Sequence, residues 1–446
     1  MEINFDKIKE KVSNTNLVYY EGRVKNVIGL TIEVTGIRAF VGEVCIIYNE
    51  MSNKIDCEVV GFKNEDVILM PLGELVGISP GCIVVPTGKP LNVKCSYSLL
   101  GKVLDGLGNP LNEENKMEEI IGGESYAMDS SPPDPLKRRR IKDILPTGVK
   151  AIDGFLTCGE GQRIGIFAGS GVGKSTTLGM IAREAKADIN VIALIGERGR
   201  EVKDFLEKDL GEEGLKKSVI ICATSDKPAL VRLKGAFTAT AIAEYFRDQG
   251  KKVILMMDSV TRFAMAQREV GLAIGEPPAT KGYTPSVFAM LPRLMERAGT
   301  SDKGSITAFY TVLVDGDDFN EPIADAVRGI LDGHIVLSRK LAGKNHYPAI
   351  DILNSVSRLM SEIASEDHKK ASSFARDLLA TYKDSEDLIN IGAYAEGSNK
   401  KLDIAMQYHP YIIKYLKQGI KDKSTMNESI EQLVGLFKGN EHLYDI

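Results

Sequence analysis

AGSGVGKST, at residues 168–176, follows the apolar run RIGIF and precedes TLGMIAREAK, a segment with helical periodicity. Strand, glycine-rich loop and helix, in that order, are the context that a phosphate-binding loop requires. Gly169, Gly171 and Gly173 let successive backbone N–H groups turn toward a polyphosphate, and the next helix adds the partial positive charge of its N-terminus. The motif G-x-x-x-x-G-K-[ST] fails only at its first position, where Ala168 is tolerable if it keeps strand-like dihedrals. We therefore predict a phosphate-binding loop.

The residues after the glycines have side chains that suit a nucleotide bound together with a metal ion. The ammonium of Lys174 can reach the outer phosphates, and the hydroxyl of Ser175 can ligate Mg²⁺. The loop residues predicted to bind the nucleotide are Gly169, Ser170, Gly171, Val172, Gly173, Lys174, Ser175 and Thr176.

Two further apolar runs end in an acid. In KKVILMMDS the apolar run is followed directly by Asp258, which suits a carboxylate that orients Mg²⁺ through its water shell, although a helix cap is the alternative interpretation. In DINVIALIGER the apolar run is followed by Gly196 and Glu197, and the carboxylate of Glu197 can polarise the water that attacks the terminal phosphate. The alternative for Glu197 is charge pairing within GERGRE, where Arg198, Arg200 and Glu201 are close in sequence.

Length and composition bound the number and the class of domains. A chain of 446 residues is too long for one ordinary core, so two or three domains are expected. With 43% hydrophobic and 26% charged residues, the composition is typical of a soluble globular protein. The net charge of −5 argues against a nucleic-acid partner. The dense basic run at residues 137–140 follows SSPPDP, and we interpret it as a solvated or interface-facing linker.

The cysteines and the N-terminus indicate the compartment. There is neither a C-x-x-C pair nor a nearby histidine, so we predict buried thiols in a reducing compartment. No apolar run approaches the length of a membrane span, and MEINFDKIKEK is unlike a secretory signal. We expect a cytoplasmic protein. The cysteines are Cys45, Cys57, Cys82, Cys95, Cys158 and Cys222.

The pattern changes along the chain and predicts five segments. Residues 1–16 read as a short helix, and short alternating strands over residues 17–92 predict a small β-barrel. Residues 93–146 are a mixed segment that ends in the linker. Apolar runs alternate with helical segments over residues 147–360, which predicts an α/β core with a parallel sheet that carries the phosphate-binding (P-loop) site. Residues 361–446 have helical spacing and predict a C-terminal helical domain.

Two other motifs fail on inspection. VDGDDFNEP superficially resembles a calcium loop that begins at Asp315, but the sixth position of such a loop would be Asn320 where glycine is needed, and the twelfth would be Ala326 where glutamate is needed. The dinucleotide fingerprint GxGxxG fails because Lys174 stands at its last position. An acidic turn after a strand is the better interpretation of VDGDDFNEP.

Several motifs together resemble those of the type III protein-export ATPases. They are AGSGVGKST, LIGERGREV, ILMMDSVTRFAMAQREVGLAIGEPPATKGYTPSVFAMLPRLMERAG, DGDDFNEPIAD, ILDGHIVLSR and HYPAIDILNSVSR. The flagellar members match best, the injectisome members are similar to them, and the catalytic subunits of rotary ATP synthases share the pattern more distantly. The resemblance runs from about residue 20 to about residue 435 and is most specific in residues 147–360.

The resemblance implies a barrel, a nucleotide-binding core and C-terminal helices, in a ring of six copies that bind ATP and Mg²⁺ at their interfaces. It implies a catalytic glutamate at Glu197, an arginine that contacts the γ-phosphate at Arg198 and an acid acting on the metal through water at Glu201. It also implies an adenine-stacking aromatic at Tyr347 and an arginine finger for the neighbouring subunit at Arg358. Without the resemblance, the last two are an ordinary aromatic and an ordinary surface arginine.

The predicted function is ATP hydrolysis in the flagellar type III export apparatus, in a homohexamer that drives release, unfolding and export of substrates. The implied partners are other copies of the chain, regulator and central stalk proteins, chaperone–substrate complexes and a membrane export gate contacted only peripherally, with no nucleic acid. An injectisome ATPase is the main alternative. A rotary ATP synthase subunit is disfavoured because Glu197 and Arg358 occur in one polypeptide.

Two other classes are disfavoured as well. An RNA motor would need more aromatic and basic residues in the N-terminal region. A non-catalytic regulatory subunit would be expected to lack the carboxylate of Glu197.

Overall fold

The structure is a computed structural model that describes residues 20–51, 53–111, 123–314 and 318–445. The predicted helix at residues 1–16 and residues 315–317 of the acidic turn lie outside these ranges. The chain divides into two compact units, one of Met1–Leu91 with Val270–Glu276 and one of Asn92–Glu269 with Pro277–Ile446.

The first unit contains a closed barrel, as the alternating pattern predicts. Its strands are β1 Gly22–Ile28, β2 Thr31–Thr35, β3 Glu43–Tyr48, β4 Lys54–Lys63, β5 Asp66–Pro71 and β6 Ile83–Pro90. They are joined in the order β1–β2–β5–β4–β3–β6, and each pair is antiparallel. Inward-pointing side chains such as Ile32, Val34 and Ile47 are fully buried and form the barrel core.

The second unit is organised around a nine-stranded sheet. The strands of this unit are β7 Asn92–Cys95, β8 Val103–Asp105, β9 Glu124–Ala127, β10 Ile144–Leu145, β11 Cys158–Gly159, β12 Arg163–Ala168, β13 Ile189–Ile195, β14 Ser218–Ala223, β15 Lys252–Asp258, β16 Gly299–Thr300, β17 Ser305–Leu313, β18 Gly333–Leu337 and β19 Val356–Ser357. The sheet order is β19–β18–β12–β17–β15–β13–β14–β8, with β16 paired to β17.

The sheet is parallel from β18 to β8, and only β19 and β16 run antiparallel to their neighbours. Five apolar runs of the sequence form β12, β13, β14, β15 and β17, which confirms the predicted parallel sheet. The three-residue strand β8 was not predicted. It extends the core sheet from the mixed segment that precedes the linker.

Helices cover the sheet and form the C-terminal part of the chain. They are α1 Lys150–Phe155, α2 Lys174–Glu184, α3 Gly199–Asp204, a π-helix Phe205–Leu210, α4 Gly211–Lys216, α5 Ala229–Asp248, α6 Val260–Ala273, α7 Pro285–Met295, α8 Pro322–Ile330, α9 Arg339–Gly343, α10 Met360–Ile363, α11 Glu366–Asn390, α12 Lys400–Leu416 and α13 Met426–Gly435. The last three confirm the predicted C-terminal helices. They share one hydrophobic core with the sheet, in which the rings of Phe155 and Tyr415 meet edge to face.

Two arginines of the basic run at residues 137–140 form hydrogen bonds with backbone carbonyl oxygens elsewhere in the second unit. The guanidinium of Arg138 donates to the carbonyl oxygen of Ala298 at 2.7 Å, and Nε of Arg139 donates to the carbonyl oxygen of Ser301 at 2.8 Å. The linker is therefore held against the core by charge-assisted hydrogen bonds, rather than solvated along its whole length.

Two expectations about residue environments can be compared directly with the structure. All six cysteines are buried free thiols, as predicted. Burial raises the pKa of Cys45, Cys95 and Cys222 to about 12, which keeps these thiols protonated at neutral pH. Among the residues described, no helix is both long and apolar enough to cross a membrane.

Candidate nucleotide-binding site

The phosphate loop connects β12 to α2 at the carboxyl end of the parallel sheet. Gly171 and Gly173 adopt positive φ values of 77° and 90°, a left-handed conformation that glycine takes without a Cβ penalty. Val172 between them is 1% exposed and anchors the loop in the core. Ala168, at the position where the motif has glycine, is the last residue of β12 and pairs within the sheet. Its strand conformation explains why alanine is accepted there.

Three charged side chains meet beside this loop. Nζ of Lys174 lies 2.5 Å from Oδ1 of Asp258 and 3.5 Å from Oε1 of Glu197. Lys174 opens α2, while Asp258 ends β15 and Glu197 follows β13, so the three come from the same edge of the sheet. Burial alone would lower the pKa of Lys174, but the two carboxylates outweigh it and raise that pKa. The ammonium therefore stays charged and screens the repulsion between the two acids.

Glu197 has an environment that suits proton chemistry near neutral pH. Burial and the negative charge of Asp258 raise the pKa of Glu197 to about 7, against the opposing effect of Lys174. Glu201 adds to the increase as a neighbouring carboxylate. A carboxylate with a pKa near the working pH combines availability as a base with useful basicity.

The contacts bear on two alternatives that the sequence left open, charge pairing of Glu197 within GERGRE and a helix-cap role for Asp258. Glu197 pairs with Lys174, and the ion pair within GERGRE nearest to it joins Arg198 to Glu201 at 3.7 Å. The side chain of Arg198 is 81% exposed, so it is accessible to a ligand or to a neighbouring molecule. At the start of α6, it is the hydroxyl of Ser259 that accepts a hydrogen bond from a backbone N–H, that of Arg262. The carboxylate of Asp258 contacts Lys174.

The predicted aromatic lies beside the phosphate loop. A Cβ placed on Gly173 would lie 3.7 Å from the ring of Tyr347, and this residue is 42% exposed. The carbonyl oxygen of Tyr347 accepts a hydrogen bond from the backbone of Gln418 at 3.0 Å, which ties the segment to the end of α12. The exposed face of the ring is therefore available for stacking next to the loop. The hydroxyl of Thr176, by contrast, bonds to Asp209 rather than pointing freely at the loop.

Arg358 does not join the cluster in its own chain. It directly follows β19, which pairs with the first residues of β18, and its backbone N–H donates to the carbonyl oxygen of Asp332. The phosphate loop lies at the other end of β18, where Leu337 pairs with Ala168. Gly333 and Leu337 are four residue steps apart along the strand, or about 13 Å. The two ends of the sheet thus carry the cluster and Arg358 separately.

Two arginines at the site were not singled out from the sequence. The guanidinium of Arg339 lies against Gly169, where a Cβ would approach Nη2 to 2.6 Å. The side chain of Arg262 packs on Gly196, and its Nε is buried without a hydrogen-bond partner among the residues described. Both arginines come shortly after core strands that end at the site. An arginine one to four residues past a core strand is only a weak sequence signal for a place in the site.

The charged residues fit a metal ion held together with a nucleotide. Within the described ranges, no three His, Cys, Asp or Glu side chains form a ready metal cluster. Mg²⁺ at nucleotide sites typically takes one or two carboxylates and completes its shell with substrate phosphates and water. The carboxylate of Asp258, together with the hydroxyl of Ser175 at the N-terminus of α2, is such a partial set of metal ligands.

Comparison with known families agrees with this geometry. Residues 148–357 match the nucleotide-binding domain of the ATP synthase alpha/beta family, and residues 24–88 match the beta-barrel domain of that family. Residues 364–435 match the C-terminal domain of the T3SS ATPase EscN. The chain is 58% identical to the flagellum-specific ATP synthase of Bacillus subtilis, over 94% of this chain and 95% of that protein. The chain belongs to the flagellar and type III secretion ATPases.

Other members of this ATPase family show the same extent of similarity. The type 3 secretion system ATPase of Xanthomonas euvesicatoria is 49% identical over 93% of both chains. The structure of the assembled ATPase EscN from the enteropathogenic E. coli type III secretion system superposes with a TM-score of 0.86 at 47% identity, covering 93% of this chain and 99% of that one. The fold predicted from the sequence, with barrel, parallel-sheet core and C-terminal helices, is therefore the fold of this ATP-hydrolysing family.

The contact between Gly196 and Arg262 gives a first prediction. Gly196 has a φ of 69°, and a Cβ there would approach Cβ of Arg262 to 2.8 Å, so Gly196→Ala is both strained and crowded. We expect a loss of about 1–3 kcal/mol in the free energy of unfolding, measured by urea denaturation. The matched control is Gly199→Ala in α3, where a Cβ meets no atom within 4 Å. Equal stability of the two variants would contradict the requirement for glycine at position 196.

Proposed function

We propose that this chain is the ATPase of a flagellar type III export apparatus, which hydrolyses MgATP in a homohexameric ring to drive release, unfolding and export of substrates. The observation that carries the proposal is the cluster of Lys174, Glu197 and Asp258 beside an open phosphate loop. One chain holds this cluster at one end of its sheet and Arg358 at the other, so identical copies can build complete sites between them.

The chemistry follows from charge. Phosphoryl transfer spreads negative charge over the oxygens of the γ-phosphoryl group and the leaving oxygen. This charge is stabilised by the loop amides, Lys174 and Arg198. Arg358 of a neighbouring copy adds to the stabilisation. Glu197 orients the attacking water and accepts its proton, as its pKa of about 7 allows. Tyr347 stacks on the adenine.

Ser175 and Asp258, with Glu201 through water, would hold Mg²⁺, which neutralises charge on the phosphates when it is bound. In the structure the ammonium of Lys174 pairs with Asp258. Binding of ATP exchanges that pairing for contacts with the outer phosphates. The carboxylate of Asp258 then loses its nearest cation and becomes available to the metal.

The wider assembly is proposed by analogy with the relatives. EscN is known as an assembled ATPase and in complex with its central stalk EscO. For this chain we propose a homohexamer that contacts a central stalk, a regulator, chaperone–substrate complexes and, peripherally, a membrane export gate from the cytoplasm, with no nucleic acid. We also propose the division into residues 17–92, 93–146, 147–360 and 361–446 as its functional domains.

An injectisome ATPase is the second candidate. The 58% identity to the flagellar protein of Bacillus subtilis, against 49% to the secretion ATPase of Xanthomonas euvesicatoria, favours the flagellar machine. The presence of Glu197 in the cluster argues against a non-catalytic subunit.

Expression in a strain of Bacillus subtilis that lacks its own flagellar ATPase separates the two candidates. We expect the wild-type chain to restore swimming motility, because it would supply ATP hydrolysis to the same machine, and Glu197→Gln to fail at equal expression. Motility in soft agar and secreted flagellin are the measurements. An absence of both with the wild-type chain, at normal expression and with ATPase activity in vitro, would favour the injectisome.

The role of Glu197 can be measured on the purified protein. Glu197→Gln keeps the shape of the side chain and removes the base, so ATP turnover should fall by roughly two orders of magnitude or more while nucleotide affinity is retained. Steady-state phosphate release and binding of a fluorescent ATP analogue give the two numbers. The exposed Glu213→Gln in α4 serves as the control for loss of a carboxylate. Full turnover in Glu197→Gln refutes the catalytic assignment.

The position of Arg358 predicts catalysis across an interface. Arg358→Ala should bind nucleotide and assemble, yet lose most turnover, because its own site depends on the neighbour's arginine. Mixing Arg358→Ala with Glu197→Gln should restore part of the activity, since some interfaces then combine an intact Glu197 with an intact Arg358. Specific activity of the wild type should also rise with protein concentration. A verified mixed ring that regains no activity would rule out this arrangement.

A further inference from the structure

A buried hydroxyl lies directly behind the cluster, on the strand between the phosphate loop and Asp258. Thr311 is fully buried in β17, which pairs with β12 on one side and with β15 on the other. Within the sheet, Thr311 is the partner of Ile166, two residues before the end of β12. Its hydroxyl therefore sits at the junction of the two strands that deliver the phosphate loop and the acid.

The hydroxyl of Thr311 donates to Oδ1 of Asp258 at 2.8 Å and lies 3.2 Å from the carbonyl oxygen of Met257. The contact with the carboxylate is the shorter one, and a hydrogen bond to an ionised acceptor is stronger than one to a neutral carbonyl. A valine would fill the same space in a buried strand without the cost of desolvating a hydroxyl. Packing of β17 therefore does not require the hydroxyl, whereas the contact with Asp258 does.

Oδ1 of Asp258 receives two donors, Lys174 at 2.5 Å and Thr311 at 2.8 Å. These two donors differ in mobility. Lys174 has a long flexible side chain that the phosphates of ATP attract, whereas Thr311 has one rotatable bond and is fixed by the sheet. When Lys174 turns to the phosphates, Thr311 keeps its hold on the same carboxylate oxygen.

We propose that Thr311 is a positioning residue for the ATPase reaction, holding the carboxylate of Asp258 in place once Lys174 has moved to the phosphates. The inference rests on the role proposed for Asp258. One oxygen is fixed by the sheet, and the other oxygen of the carboxylate is left for the water shell of Mg²⁺. Thr311 is fully buried and acts through Asp258, so its effect is measured as a dependence on Mg²⁺.

The test compares Thr311→Val, which removes the hydroxyl, with Thr311→Ser, which retains it. Thr240→Val is the matched control, because Thr240 is also fully buried and its hydroxyl donates to the carbonyl oxygen of Ala236 within α5, away from the cluster. For each variant, binding of N-methylanthraniloyl-ATP is titrated with and without Mg²⁺, and ATP hydrolysis is measured against Mg²⁺ concentration. Folding is checked by circular dichroism and thermal unfolding.

For Thr311→Val we expect nucleotide affinity without Mg²⁺ within about twofold of the wild type, about a tenfold higher Mg²⁺ concentration for half-maximal binding enhancement, and about a tenfold lower kcat. Thr311→Ser should stay within about threefold of the wild type in all three, and Thr240→Val should match the wild type. If Thr311→Val does not fold, Thr311→Ala takes its place with the same expectations.

Three results would overturn the proposal. One is a wild-type Mg²⁺ dependence in Thr311→Val. Another is a defect in Thr311→Ser as large as that in Thr311→Val, and the last is the same defect in Thr240→Val. Asp258→Asn separates this inference from the proposed function. If Asp258→Asn is fully active, the role of Asp258 fails, whereas an impaired Asp258→Asn beside a normal Thr311→Val removes only the role of Thr311.

Discussion

The attraction between one ammonium and two carboxylates governs the organisation of the site. Asp258 ends β15 and Glu197 lies two residues beyond the end of the neighbouring parallel strand β13, so the topology itself brings two acids together at one edge of the sheet. Two such acids in a largely dry environment would repel each other by an amount that a marginally stable protein tolerates poorly. Lys174 relieves the repulsion, although burial first and the charge of Asp258 second still raise the pKa of Glu197 to about 7. In the function that we propose, the phosphates of the nucleotide compete with the two carboxylates for this one cation.

Much of this could be predicted from the sequence because the information is local. The phosphate loop is encoded in nine consecutive residues between a strand and a helix, and the two acids are visible because each ends a long apolar run. The barrel and the C-terminal helices followed from their alternating and helical periodicities. Tyr347 and Arg358, by contrast, were identified only through the family resemblance, since nothing in their neighbourhoods distinguishes them.

The features that the sequence did not indicate depend on contacts between distant segments. Arg262 reaches Gly196 because β15 lies beside β13, and Arg339 reaches Gly169 because β18 lies beside β12. Thr311 looks like any threonine in a buried strand until the sheet order places it beside Asp258. The position of Arg358 at the far end of β18 likewise follows from strand pairing. Periodicity reports which face of an element is buried, but not which other element covers it.

The strand β8 has a consequence for how the protein can be divided. It lies before the linker in sequence, yet it pairs in parallel with β14 and closes that side of the core sheet. A fragment that starts at residue 147 would therefore leave the backbone of β14 without its partner, and an uncovered edge strand is a template for pairing with other chains. A shortened catalytic core begun at Asn92 would keep this strand and should remain monodisperse where the shorter fragment aggregates.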